Sequence, residues 1–349
     1  FAGTQANDES AHPVGPVHSW DEFTRLREVV IGDARGARIP SVEDPSAWLN
    51  LFPEMTRTTL AELPGLGLTQ RLLDETEEDL ALLACALEEA SIIVRRSAPL
   101  DHGAEFGAPG WRSRGMYSYC PRDLALVLGD TLVETPTPTR ARYFECFSLH
   151  SLFQEYMRRG ARWISAPKPQ LADSLYEIGA SGDIRLAEDE PVFEAANVLR
   201  LGRDIFYQVS GSGNECGLAW LERLLPMLGD LRLHPLRGVY DYTHIDSTMA
   251  VLRPGLVLLN PARVSPDSVP GYFRAVAVQQ ASAGYCWLWG RGPGVCLRGC
   301  DTPCEVVDRG GFGGQDCLLC PMCPVCRLRR SLPPCLMRSW LSGWRRRTG

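Results

Sequence analysis

Three predicted β-hairpins, each entered through a short polar segment, constrain the fold of this chain more than any other feature of its sequence. Each hairpin has two β-rich runs joined by a Gly-Asp, Gly-Arg-Asp or Pro-Gly turn, and these residue types favour tight turns. The recurrence predicts that polar side chains meet at one end of several strand pairs. The polar segments are Pro121-Arg-Asp123, Glu194-Ala-Ala-Asn197 and His244-Ile-Asp246, and the hairpins after them span 124–134, 198–207 and 248–258.

Helical segments are predicted around these hairpins. Leucines recur at helical spacing over 70–90, and the β-branched residues 92–94 that follow predict a buried strand. Further helices are predicted over 141–163 and 216–228, and a first strand over 27–32 ends at a glycine. The equivalent positions 123, 197 and 247 are unevenly spaced, which excludes a tight sequence repeat. The pattern therefore favours an α/β fold built from structural repeats of strand pairs and helices.

The composition changes sharply near residue 270. The chain has 349 residues and a formal net charge of −6, yet residues 271–349 contain eleven arginines, four acidic residues and nine of the 13 cysteines. The acidic remainder has four scattered cysteines, which is typical of a reducing cytoplasm rather than of a disulfide framework. We predict a disordered lead over 1–17, a main domain over 18–270 and a Cys/Arg/Gly-rich tail over 271–349.

Membrane and secretory signals are not found in the sequence. No apolar run approaches the 18 or more residues of a membrane span. No basic segment followed by an apolar stretch predicts a secretory leader. We therefore expect a cytoplasmic protein with no membrane partner and no nucleic-acid partner, and the sequence leaves a homodimer open.

The candidate site combines three carboxylates with one histidine. Asp123, Glu194, His244 and Asp246 all lie in the polar segments before the hairpins. A guanidinium is a planar cation whose fork of donors is accepted by carboxylates in pairs, so the three acids suit such a ligand. His244 suits a proton donor to a leaving amine. A thiolate is also expected, because a guanidinium carbon is a poor electrophile and cysteine is a strong nucleophile.

Each of these residues also has an ordinary structural interpretation. A histidine two residues before an aspartate is most often a side chain held by that carboxylate. Glu194 could be a satisfied structural acid, Asp123 could cap a turn, and Arg263 could be a solvated loop charge. The argument for a site is the recurrence, since each group enters a hairpin from the same side.

These motifs resemble the amidinotransferases that use arginine as amidino donor. Within that family the resemblance is strongest to the inosamine-phosphate amidinotransferases of streptomycin-type antibiotic biosynthesis, and weaker to the glycine amidinotransferase of creatine biosynthesis. It covers residues 17 to 263. The matching segments are Cys120-Pro-Arg-Asp-Leu, Trp163-Ile-Ser-Ala-Pro-Lys-Pro169, Glu190-Pro-Val-Phe-Glu-Ala-Ala-Asn, Gly202-Arg-Asp-Ile-Phe, Ser212-Gly-Asn, His244-Ile-Asp-Ser-Thr and Pro254-Gly-Leu-Val-Leu-Leu-Asn-Pro-x-Arg263.

The resemblance implies a fold and a set of roles. The fold is a five-bladed α/β propeller, the pentein fold, with the active site on the central axis. Glu194 matches the carboxylate partner of the histidine, and His244 matches the general acid and base. Asp123 and Asp246 match the two guanidinium-holding aspartates, and Arg263 matches the clamp on the donor's α-carboxylate. The implied donor is L-arginine, the implied acceptor is an aminocyclitol phosphate, and no metal or organic cofactor is required.

The sequence departs from the family at the nucleophile. The family cysteine lies in a Gly-Gly-Gly-x-His-Cys segment, which does not occur here, and no histidine follows His244. The nearest string, Gly310-Gly-Phe-Gly-Gly-Gln-Asp-Cys317, lacks the histidine. The nucleophilic cysteine is therefore unknown, and the chain as written could be inactive.

Two interpretations of the tail stay open, beside a less favoured metal site. A frame change between residues 265 and 285 is favoured, because Arg, Gly, Pro, Cys and Trp dominate the segment without helical or strand periodicity. Its rival is a genuine tail on a catalytically dead propeller that binds arginine or a partner. The cysteine run 317–326 has spacing close to that of an iron–sulfur or zinc site, which gives the third alternative, a metal-binding protein.

Overall fold

The computed structural model describes residues 15–41, 43–50, 68–178, 184–253, 256–260 and 263–269, together with the backbone of 279–280. The strands in chain order are β1 (Glu28–Ile31), β2 (Ile93–Arg96), β3 (Glu105–Ala108), β4 (Trp111–Arg114), β5 (Ala125–Leu128), β6 (Thr131–Glu134), β7 (Arg162–Ser165), β8 (Tyr176–Ile178), β9 (Ile184–Leu186), β10 (Val198–Leu201), β11 (Asp204–Gln208), β12 (Arg232–Leu236), β13 (Met249–Arg253), β14 (Leu256–Leu259) and β15 (Gln279–Gln280). The helices are α1 (Gln70–Glu89), α2 (His150–Arg158) and α3 (Glu215–Leu228).

The recurring unit is a hairpin, a helix and a strand that returns parallel to the second hairpin strand. β5 and β6 pair antiparallel, and β7 pairs parallel with β6 after α2. β10, β11 and β12 repeat this arrangement around α3. β13 and β14 form the third antiparallel hairpin, and β15 again pairs in parallel. All three predicted hairpins are therefore confirmed, and so is the structural repeat that their sequence pattern indicated.

The hairpin turns depend on glycine at two positions. Gly129 between β5 and β6 has φ +60°, and Gly202 between β10 and β11 has φ +64°. This left-handed conformation is unfavourable for residues with a Cβ atom. At Gly129 an added Cβ would also lie 2.3 Å from the ring of Trp20, so the first hairpin closes against an aromatic side chain.

A single 3-10 turn precedes the first strand of each hairpin. These turns are Pro121–Asp123 before β5, Ala195–Asn197 before β10 and Ile245–Ser247 before β13. Glu194 and His244 occupy the residue immediately before the second and third turn. The polar segments thus take up one local structure at the same end of three sheets, which brings their side chains together.

The apolar core lies between neighbouring sheets. One buried cluster joins Leu126 and Val133 of the first hairpin to Val198 and Ile205 of the second, and Leu221 of α3 packs against it. A second cluster joins the second and third hairpins; it includes Leu199, Phe206, Met249, Val251 and Val257. Since strand residues alternate between faces, the second hairpin buries one face against the first hairpin and the other against the third, which fixes the relative position of the turns.

Two details of the predicted elements are wrong. The helix predicted over 141–163 spans only His150–Arg158, because residues 140–142 and 145–149 form two 3-10 turns and residues 162–163 belong to strand β7. The strand predicted to be buried at 92–94 is an edge strand, with Ile93 57% exposed, in a two-stranded parallel sheet with β1. The helix predicted over 70–90 and the shorter one over 216–228 are confirmed within a residue of each end.

The ends of the chain are described only in part. Of the predicted lead 1–17, only the last three residues are described, and Val17 is buried against Leu132 and Phe153. Apart from the backbone of 279–280, which forms β15, the predicted tail and its cysteine run lie outside the described residues, as does the closing of a ring of five blades. Among the described helices, none is both long and apolar enough to cross a bilayer.

Candidate active site

The three turns bring one buried side chain each to a common centre. Asp123, Glu194 and His244 are all buried, and a side-chain oxygen or nitrogen of each lies within 4.8 Å of those of the other two. Their positions in the sequence are far apart, so only the packing of three sheets makes them neighbours. The structure thus brings together three of the residues predicted to form the site.

Glu194 is the central carboxylate. Its side chain is 0% exposed, and its Oε2 forms a short hydrogen bond with His244 Nε2. The Thr137 hydroxyl donates to Glu194 Oε1 at 2.6 Å, and Arg142 Nη1 donates to Oε2 at 3.1 Å. Both oxygens are therefore bonded, as a carboxylate without access to water requires.

His244 is held by its backbone as well as by its ring. Its φ of +60° is a left-handed conformation that residues other than glycine adopt rarely and at a cost. Its backbone N–H donates to Ser212 Oγ at 3.2 Å, and the Ser212 hydroxyl donates to Asn197 Oδ1 at 2.6 Å. This backbone geometry directs the imidazole toward Glu194 rather than along the hairpin.

The two ring nitrogens of His244 have different surroundings. Nε2 is bonded to Glu194, whereas Nδ1 lies 3.9 Å from Asp123 Oδ1, which is beyond hydrogen-bond distance. Nδ1 is therefore the ring nitrogen that can exchange a proton with a ligand lying beside Asp123. Glu194 would fix the ring orientation during that exchange.

The charges of Glu194 and His244 stabilise each other. Burial alone would raise the pKa of Glu194, but Arg142 and the bond to His244 outweigh it and lower that pKa to about 2. Burial alone would lower the pKa of His244, but Asp123 and Glu194 outweigh it and raise that pKa to about 9. At neutral pH the pair is thus carboxylate and imidazolium, and the imidazolium is the form that donates a proton.

Asp246 lies in the same 3-10 turn that follows His244. Its Oδ2 lies 3.3 Å from Arg122 Nε, and Arg122 also donates to Glu22 and to the backbone carbonyl of Val198. Burial raises the pKa of Asp246, and Arg122 opposes that rise. This predicted site residue therefore lies beside the centre, paired with an arginine of the protein itself.

Arg263 reaches the same turn from the end of the third hairpin. Its Nη1 donates to Ser247 Oγ at 3.2 Å, next to Asp246 in the chain. The side chain is partly exposed. Arg263 thus places a cation at the end of the turn that begins next to His244. A cation there can contact one end of an elongated ligand whose other end reaches His244.

The sequence of this chain is similar to those of several known proteins. No protein-family model matches the chain. An inosamine-phosphate amidinotransferase of Streptomyces glaucescens is 43% identical over 255 residues, which cover 73% of this chain and 72% of that protein. The L-arginine:L-lysine amidinotransferase of Pseudomonas savastanoi pv. phaseolicola is 37% identical over 267 residues, which cover 74% of this chain and 72% of that one. The chain belongs to the amidinotransferase family.

The fold of this amidinotransferase agrees with a solved relative. The inosamine-phosphate amidinotransferase structure from Streptomyces griseus superposes with a TM-score of 0.69 at 40% identity, covering 76% of this chain and 75% of that one. The predicted α/β fold of the pentein type is thereby confirmed for the described residues. The predicted activity class, transfer of an amidino group, is confirmed as well.

The three thiols Cys120, Cys146 and Cys216 of this amidinotransferase lie in environments that favour the neutral form. Burial raises the pKa of the Cys120 and Cys146 thiols well above the ordinary value, and burial and Glu188 raise that of Cys216. A thiolate needs the opposite shift. Cys120 directly precedes the Asp123 turn, but its environment favours the neutral thiol.

The donor atoms of the site have the chemistry of a metal centre, yet they already have partners. Asp123, Glu194 and His244 would offer two oxygens and a nitrogen. The carboxylates share Arg142 Nη1 as a hydrogen-bond donor, and Glu194 also bonds to His244. A metal ion at this position would have to displace the buried guanidinium of Arg142. The hydrogen bonds of the two carboxylates fit a site that holds His244 for proton transfer.

The sequence did not predict the buried residues that support the centre. Thr137, Arg142 and Ser212 each bond to a predicted site residue, and Glu145 bonds to Arg142. The available signal was the three charged residues Arg140, Arg142 and Glu145 at the start of a predicted helix whose aromatic residues and leucines indicate one buried face. Charged side chains on a face that should be buried indicate internal ion pairs.

Proposed function

We propose that this amidinotransferase moves the amidino group of L-arginine to an amino-inositol phosphate, within aminoglycoside antibiotic biosynthesis. The observation that carries the proposal is the buried imidazolium of His244, which has one nitrogen held by Glu194 and the other facing Asp123. The two Streptomyces relatives are named for an inosamine phosphate, and they support this acceptor class. A reducing cytoplasm is the proposed location, in keeping with cysteines 85, 120, 146 and 216, none of which forms a disulfide in the part of the chain that the structure describes.

The donor would lie across the 3-10 turn Ile245–Ser247 that precedes the third hairpin. Asp123 uses Oδ2 for Arg142, which leaves Oδ1 to accept a hydrogen bond from the guanidinium of arginine. Asp246 would hold the other edge of the guanidinium. Arg263 would bind the α-carboxylate, because its position at Ser247 places it along the turn and away from the reacting carbon.

His244 would act first as acid and then as base. A thiolate, not assigned here to a residue, attacks the guanidino carbon, and the bond from that carbon to the chain nitrogen of arginine breaks. His244 gives its proton to that nitrogen, so ornithine leaves as an amine and the amidino group stays on sulfur. The amine of the acceptor then attacks the same carbon and loses a proton to His244, and the thiolate is released.

The test is transfer from arginine labelled in its guanidino carbon. Purified protein is incubated with the labelled arginine and separately with an amino-inositol phosphate, its dephosphorylated form, lysine or glycine. In protein made from a reading frame that encodes the nucleophilic cysteine, we expect label in the amino-inositol phosphate and an equal amount of ornithine. Label in lysine or glycine alone would overturn the proposed acceptor, and arginine binding without ornithine in any mixture would favour the catalytically dead propeller.

That second candidate, a catalytically dead propeller, is favoured by one observation, the missing cysteine segment. No Gly-Gly-Gly-x-His-Cys occurs in the sequence. Such a protein would keep the arginine site formed by Asp123, Asp246 and Arg263 without forming an amidino-cysteine. Metal binding through the cysteine run 317–326 is the remaining alternative, and iron and zinc analysis of the purified chain tests it.

We expect a frame change to explain the missing segment. Restoring one base near codon 270 should give a reading frame that encodes a Gly-Gly-Gly-x-His-Cys segment, because the resemblance to the family stops near Arg263. Resequencing the gene from codon 260 to its stop checks this. If neither alternative frame encodes such a segment, the tail must be taken as genuine.

Arg263→Ala should weaken arginine binding more than it slows the reaction. A lost charge-assisted bond to the α-carboxylate costs about tenfold or more in affinity, while the guanidinium remains in place. Calorimetric titration with arginine measures the affinity, and titration with agmatine, which has no carboxylate, should show no difference between the variants. Arg253→Ala, an exposed arginine of the same hairpin, is the matched control. If the wild type, Arg263→Ala and Arg253→Ala bind arginine with equal affinity, Arg263 does not bind the α-carboxylate.

A further inference from the structure

Arg142 is a cation enclosed at the centre of the site. Its side chain is 0% exposed, and its Nε and Nη2 fork onto Glu145 at 2.6 and 2.8 Å. Its remaining nitrogen, Nη1, donates to Asp123 Oδ2 at 2.9 Å and to Glu194 Oε2 at 3.1 Å. One face of the guanidinium lies 4.8 Å from the ring centre of Tyr117. Three carboxylates and one aromatic ring thus hold a single guanidinium in a fixed orientation.

We propose that Arg142 is a positioning residue for amidino transfer: its guanidinium holds Asp123 and Glu194 side by side and offsets part of their charge, and so fixes how much negative charge faces His244 and the incoming guanidinium. The substrate part of this inference rests on the proposed function. The part that concerns His244 rests on the geometry alone.

The need for such a residue follows from the two carboxylates. Two acids that approach the same buried point repel each other, and a cation bonded to both offsets that repulsion. Nη1 of Arg142 lies between Asp123 and Glu194 and bonds to both, so Arg142 shares with His244 the balance of their negative charge. Glu145 accepts the other two bonds of Arg142 from the far side and fixes the direction of its fork, and burial raises the pKa of this carboxyl to about 7.

The charges around His244 come from several elements. Glu194 and Asp123 face it from the turns before the second and first hairpins, and Asp246 faces it from its own turn, paired with Arg122. Arg142 reaches this group through the two carboxylates that it bonds. Removing its charge should therefore leave His244 as the main counter-ion of Asp123 and Glu194, and strengthen the hold on its proton.

Arg140 is a matched control two residues away. It is also buried, at 4% exposure, and it also packs against aromatic rings, those of Trp111 and Tyr176. Its side chain donates to the carbonyl of Leu171 and to Asp173 and forms an ion pair with Asp44, and among the described residues it forms no bond with Asp123, Glu194 or His244. Replacing it removes a buried guanidinium of similar packing without touching the site.

The experiment is a titration of His244 by NMR on the full chain with labelled histidine, assigned with a His244→Gln variant. In Arg142→Gln the titration midpoint should rise above the wild-type value by about one pH unit. In Arg142→Lys it should rise less, because an ammonium keeps the charge but cannot bond to all three carboxylates. Arg140→Gln and Arg140→Lys should leave the midpoint unchanged. Circular dichroism and thermal melting establish which variants are folded.

The outcomes separate this inference from the proposed function. The positioning role is overturned if Arg142→Gln folds and its His244 midpoint is unchanged or lower. If Arg142→Gln does not fold, a wild-type His244 midpoint in Arg142→Lys overturns the role instead. Calorimetry with arginine is the second readout, and the dissociation constant should rise about tenfold or more in both Arg142 variants. If the wild-type chain binds no arginine, the proposed function fails while the titration still decides the role of Arg142.

Discussion

Glu194→Gln should lower the free energy of unfolding by about 3–5 kcal/mol at pH 7. The substitution keeps the shape of the side chain but removes the charge that faces both Arg142 and His244 in a site closed to water. Breaking a buried ion pair from one side leaves an uncompensated charge, which costs far more than losing an exposed pair. Chemical denaturation of the purified variant measures the change, and the pKa of His244 should fall toward its ordinary value in the same protein.

The matched control is Glu222→Gln on the exposed side of α3. Surface substitutions of this kind change stability by no more than about 0.5 kcal/mol. If Glu194→Gln were as mild as Glu222→Gln, the ion pair at the centre would not exist in solution. In a protein that transfers label from arginine, the same variant should also lose at least about 100-fold in rate, because His244 is no longer held as the proton donor.

The contribution of the Glu194–His244 pair to the free energy of unfolding should be greatest in mildly acidic solution and fall on either side. The pKa of His244 rises from 6.5 to about 9 on folding, so folding takes up a proton, and the stabilisation is complete below pH 6.5 and lost as the pH rises toward 9. The pKa of Glu194 falls from 4.5 to about 2, so its stabilisation is complete above pH 4.5 and lost as the pH falls toward 2. The plateau therefore lies between pH 4.5 and 6.5.

On the alkaline side of this profile the free energy of unfolding should fall by about 3 kcal/mol. The acidic and alkaline losses come from the same ion pair, so they are not added together. Unfolding by urea at a series of pH values gives the profile. His244→Gln should flatten the alkaline side while His234→Gln, which removes a partly exposed histidine paired with Asp204, should leave it in place. An alkaline slope that persists in His244→Gln would assign the titration to another group.

The centre of the site was predictable because it repeats a local pattern. Tight-turn residues set the three hairpins, and the polar residues before them could be compared with one another without knowing the fold. This is why Asp123, Glu194 and His244 were found together in the structure as the sequence predicted. Local rules are strong where a turn, a strand pair and a polar segment follow each other within a few residues.

The supporting residues were not predictable by the same means. Helical periodicity extended the second helix back to residue 141, but the chain there forms two 3-10 turns that direct Arg140 and Arg142 to different partners. Those partners come from distant segments, and no local propensity records them. Ile93 was similarly misjudged, since an apolar run predicts a strand but not whether a second sheet covers it.

The location of the site at three separate turns has a consequence for folding. Asp123, Glu194 and His244 come from different hairpins, so each hairpin can form early from its own local contacts while the site still has no structure. The centre is completed only when all three sheets dock, and contacts between such distant segments form late because closing long loops is entropically costly. Ligand binding at this centre would therefore appear only after the last step of folding. A partly folded chain would not bind the ligand, even if each of its hairpins had formed.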